Sequence, residues 1–72
     1  MTTKEALYIK KAVLLLSDFT GMEPINLIRN ICFLDKEKGA KFVEASNLWN
    51  EFEDETSIVK RGAMLGIEVI EN

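Results

Sequence analysis

Glu44 and Glu51 lie seven residues apart in a stretch of helical periodicity, so their carboxylates fall on one face, two turns apart. Such a pair can share general acid and base work when its members sit in contrasting environments inside a cleft. A chain of 72 residues built around one core leaves little volume for a cleft, and an acidic face turned to water is the ordinary use of this pattern. There is no histidine, which removes the side chain that titrates near neutrality and serves most often as a general base. The triad geometries go with it. The one cysteine, Cys32, falls late in an apolar stretch beside Ile28 and Ile31. A reactive thiolate needs a basic neighbour, a metal or a helix N-terminus, so packing is what this setting predicts.

Metal and phosphate chemistry find no better footing. Asp35, Glu37 and Gly39 suggest a calcium loop, but the glycine comes fifth where the sixth position is required, and Lys36, Lys38 and Lys41 crowd the cation. Without histidine, the zinc ligand sets shrink to one thiolate plus carboxylates. No glycine-rich phosphate loop occurs. The sequence therefore points away from an enzyme and calls for no metal and no cofactor.

Any such groups would be carried by helices. Thr2 and Glu5 are spaced as a capping box ahead of a helix from about Thr3 to Phe19, with Gly21 as its terminator. At ~100° per residue, Tyr8, Ile9, Ala12, Val13, Leu15, Leu16 and Phe19 fill one arc, the expected core face. Leu7 and Leu14 fall outside it, among Lys4, Lys10, Lys11 and Asp18. A second helix runs from about Pro24 to Leu34, with proline at its first position. Ile25, Leu27, Ile28, Ile31, Cys32 and Leu34 cover more than half its circumference, which makes it the central helix; Phe33 points to the polar side, where another element or a partner must cover it.

A third helix starts between Lys36 and Ala40, with Asp35 as cap, and ends near Glu53. Phe42, Ala45, Trp49 and Phe52 mark its apolar face, with Trp49 read as core. The tail reads as a short helix from about Ser57 to Leu65, stopped by Gly66, then an extended Ile67 to Ile70. A C-terminal β-hairpin around Lys60-Arg61-Gly62 is the alternative. The expected fold class is mainly α: a single small helical domain over residues 1–72, with three principal helices, a short fourth and an extended tail.

Charge narrows the partners. Nine basic and twelve acidic residues give a net charge of −3, and residues 37–72 alone carry eight acidic and four basic groups. Glu51, Glu53, Asp54 and Glu55 crowd the expected C-terminal end of helix 3, where negative charge opposes the helix dipole. A cluster in an unfavourable place invites a functional reason. With Glu44 it forms an acidic patch suited to a protein partner with a basic surface.

Leu7 and Leu14, one heptad apart, with Lys11 and Phe33, form a candidate oligomer seam for a homodimer. The competing reading lays the Ile67 to Ile70 tail across the two leucines. Ala12 to Phe33 can also be read as a helix-turn-helix, giving a dimeric DNA-binding regulator as the alternative function. Nucleic acid is disfavoured, because residues 1–36 carry a net charge of only +1 and phosphate contacts need lysines and arginines.

No run approaches the roughly twenty apolar residues of a membrane span, and Lys4, Lys10 and Lys11 are balanced by Glu5 and Asp18, which argues against a surface-lying membrane helix. An unpaired cysteine without export features suits the cytoplasm. The expectation is a non-catalytic protein–protein interaction module acting stoichiometrically, as a small acidic inhibitor, adaptor or regulatory subunit. A virus or mobile element would be a fitting source for such a protein.

Overall fold

Among the described residues four helices follow one another: α1 (Thr3–Thr20), α2 (Pro24–Leu34), α3 (Lys36–Leu48) and α4 (Glu55–Leu65). They are seen in a computed structural model that describes residues 1–49 and 54–71. The domain is mainly helical, and the described residues form no sheet. No described helix is long and apolar enough to cross a membrane.

The ends of the helices follow local chemistry. The Thr2 hydroxyl accepts from the Glu5 N–H at 3.1 Å, while the Glu5 carboxylate pairs with Lys41 at 3.4 Å and so links α1 to α3. Asp35 caps α3 by accepting from the N–H groups of Glu37 and Lys38. Gly21 and Gly66 close α1 and α4 in the left-handed conformation, at φ 72° and 73°.

The helices pack around two small clusters. Ile9, Val13, Ile28 and Ala45 join α1, α2 and α3, with Leu27, Cys32, Phe42 and Trp49 partly buried against them. Ala6, Leu48 and Ile58 join α1, α3 and α4, with Leu7, Ile67 and Val69 at their edge. α2 and α3 form the most extensive helix pair, but α3 packs on all three other helices while α2 does not reach α4 and buries only Ile28. The expectation of a central α2 is thereby corrected, and Ile25 and Leu34 of its broad apolar face stand exposed because no described element packs on that side.

The tail settles against the start of the chain. The Thr3 N–H donates to the Ile70 carbonyl at 2.9 Å and the Ile70 N–H to the Met1 carbonyl at 3.0 Å, a single parallel bridge. The segment considered for a hairpin is instead helix α4, and the tail runs back across Gly62, where a Cβ would meet Val69 Cγ2 at 2.5 Å.

Two further expectations need correction. The buried face of α1 is Thr3, Ala6, Ile9 and Val13, while Tyr8, Leu15 and Phe19, placed in the core by the sequence pattern, stand exposed. α1 carries two apolar faces, and the one with Ala6, Ile9 and Val13 is covered by Ile28 of α2, Ala45 and Leu48 of α3 and Ile58 of α4, so the core lies on that side. Secondly, α3 ends at Leu48, with Trp49 as its C-terminal cap, short of the expected Glu53. Phe52, counted as part of its apolar face, lies outside the described residues.

Candidate functional site

Of the acidic set, Asp54 and Glu55 belong to the start of α4, not to the end of α3. Asp54 is the N-cap of α4, its carboxylate accepting from the Ser57 N–H at 2.8 Å and the Ser57 hydroxyl at 3.0 Å. These two hydrogen bonds, the backbone one first, hold its pKa below the ordinary carboxylate value, with Lys60 adding to the effect. Glu55 follows in the first turn of α4. Asp54 and Glu55 therefore do not oppose the dipole of α3, contrary to the expectation. At an N-terminus negative charge is favourable, so Asp54 and Glu55 have a structural reason to be acidic. Glu44 is exposed on α3. Glu51 and Glu53 lie outside the described residues.

The candidate seam residues take different places. Leu7 is half-buried against the Ala6, Leu48 and Ile58 cluster, on which Ile67 and Val69 of the tail also pack. Leu14 is half exposed, and Lys11 is exposed. Phe33 is 89% exposed near the end of α2, with Leu34 beside it at 82%. Among the described residues no element covers either side chain.

Lys11 instead joins side chains that the sequence reading placed in the core. Tyr8, Lys11, Ala12 and Leu15 line a hollow of about 230 Å³ on the outer face of α1. Its signal was present in the sequence: Tyr8, Ala12, Leu15 and Phe19 recur at intervals of four, three and four. That line is separate from Ala6, Ile9 and Val13, and merging the two into one broad arc concealed it.

A second groove, of about 300 Å³, opens between the start of α2 and the end of α3 and is lined by Pro24, Ile25, Ile28, Ser46, Asn47 and Trp49. Trp49 thus serves both the core and a surface groove. No titratable side chain lines it among the described residues. On α2, Asn26, Arg29 and Asn30 are exposed, a face with a single cation. Among the described residues no three carboxylate or thiol groups converge to hold a metal ion. Comparison with protein-family models, with curated proteins and with solved structures gives no match.

Proposed function

We propose that this chain is a non-catalytic protein–protein interaction module, acting stoichiometrically as an inhibitor, adaptor or regulatory subunit. The observation that carries this reading is the adjacent pair Phe33 and Leu34, both more than four-fifths exposed. Side chains of this size held in water at the end of an ordered helix have a use in burial against a partner, and aromatic residues are favoured anchors at such interfaces. The exposed carboxylate of Glu44 and the net charge of −3 favour a partner with a basic surface. A free, half-buried Cys32 is compatible with work in the reducing cytoplasm.

The test places a photoreactive amino acid at Phe33 in the producing cell. The expected product is one cross-linked adduct with a different protein in a 1:1 ratio, weakened by the combined substitutions Glu44→Lys and Glu51→Lys. Adducts with nucleic acid would favour the DNA-binding regulator, and no adduct would end the proposal.

A further inference from the structure

α1 carries more apolar side chain than its own domain covers. Opposite the buried Ala6, Ile9 and Val13, the side chains of Tyr8, Leu15 and Phe19 are 74%, 61% and 89% exposed, with Leu16 half exposed beside them. Intervals of four, three and four residues keep Tyr8, Ala12, Leu15 and Phe19 in one line facing outward, which is the spacing of a seam between two helices. The open hollow on this line is lined by Tyr8, Lys11, Ala12 and Leu15. These are residues i, i+3, i+4 and i+7, the four that make a hole for one knob of a facing helix, and the short Ala12 side chain forms its floor.

We infer that two copies of this chain dock antiparallel through this face of α1. A two-fold axis crossing α1 between Val13 and Leu14 sets Ala12 opposite the partner's Leu15 and Tyr8 opposite the partner's Phe19, and the reverse pairs follow by symmetry. Each Leu15 then fills the hollow over the other copy's Ala12, and an aromatic pair closes each end of the seam. The same register brings Lys11 beside the partner's Asp18, twice. Both residues are exposed and neither forms an ion pair within its own chain among the described residues.

A parallel pairing loses both features. It would place Ala12 against the partner's Ala12, leaving a void, and would turn Lys11 toward the partner's Leu16. Large-against-small packing and charge pairing therefore select the antiparallel arrangement.

The area agrees. At about 200 Å² for a fully exposed ring, Tyr8 and Phe19 together offer roughly 300 Å², and Leu15 and Leu16 bring the apolar total near roughly 500 Å². That matches the apolar share of the roughly 800 Å² each partner gives to a stable interface. This dimer rests on α1 and not on Phe33, so it and the interaction reading above can fail separately.

Light scattering and sedimentation over a wide concentration range test it, with circular dichroism confirming that each variant stays helical. The wild type is expected at the mass of a dimer, and Leu15→Lys at that of a monomer. Lys11→Asp and Asp18→Lys should each weaken the dimer about tenfold at low salt, because each sets like charges opposite at two symmetric places. The combined K11D/D18K variant should return to within about twofold of the wild type, since the pairs are restored with their signs exchanged. A wild type that stays monomeric overturns the proposal. So does a dimer indifferent to Leu15→Lys, and so do charge variants whose effects add without rescue.

Discussion

Gly39 lies so close to Cys32 that a Cβ at position 39 would stand 2.5 Å from the Cys32 Cα and 2.7 Å from its Sγ. α2 and α3 thus meet through a backbone contact, and the glycine in the first turns of α3 is what allows it. From the sequence, Gly39 reads as a cost of about 1 kcal/mol in helix propensity. In the fold it is a packing requirement.

Gly39→Ala should therefore destabilise the domain by about 1–3 kcal/mol, the usual range for overpacking, despite the gain in helix propensity. Urea unfolding checks this. Adding Cys32→Ala should rescue little, because the nearest obstacle is the Cα of residue 32. Full rescue would mean that only the thiol was in the way.

Gly62→Ala should lift the tail. A Cβ there would meet Val69 Cγ2 at 2.5 Å and the Ile67 carbonyl at 2.8 Å, so the tail must move away from α4. Amide exchange at Thr3, whose N–H is held by the Ile70 carbonyl, should then rise well above that of the core amides. Unchanged protection at Thr3 would show that the tail adapts without leaving.

Leu48 is fully buried between α1, α3 and α4. Leu48→Ala removes three carbons from the middle of that cluster and should cost about 2–5 kcal/mol. Ile58→Val, in the same cluster, should cost about 0.5–1.5 kcal/mol. Equal losses from the two would contradict the packing described.

Acid should loosen α4 through Asp54. Its pKa is lowered in the folded chain by the Ser57 hydrogen bonds, so the stability it adds is fully present above the unfolded carboxylate value, about 3.9. That contribution fades as the pH falls through the lower, folded value. Amide exchange at Ser57 should accelerate over that window in the wild type, and Asp54→Asn, which keeps a capping side chain without the titration, should remove this pH step. A step of the same size in the variant would assign it to another carboxylate.

The helices themselves were legible because their boundaries are set within a few residues. Thr2, Pro24, Asp35 and Gly66 act on backbone groups one turn away, and that chemistry needs no knowledge of the rest of the chain. The mainly α class follows from the same local rules. The acidic run at Asp54 and Glu55 was misjudged by the same reasoning, since whether it ends one helix or begins the next depends on where α3 stops.

Which face of α1 turns inward is a different kind of question. Tyr8, Leu15 and Phe19 satisfy the helical period as well as Ala6, Ile9 and Val13 do, and burial favours either set. The choice falls to where α3, α4 and the returning tail come to rest, through contacts tens of residues distant in sequence. The close approaches at Gly39 and Gly62 belong with it, because a missing side chain shows its purpose only when another segment occupies the space. Sequence alone determined the elements and most of their ends, the C-terminal end of α3 excepted; the tertiary structure decided which apolar surface the domain buries and which it leaves exposed.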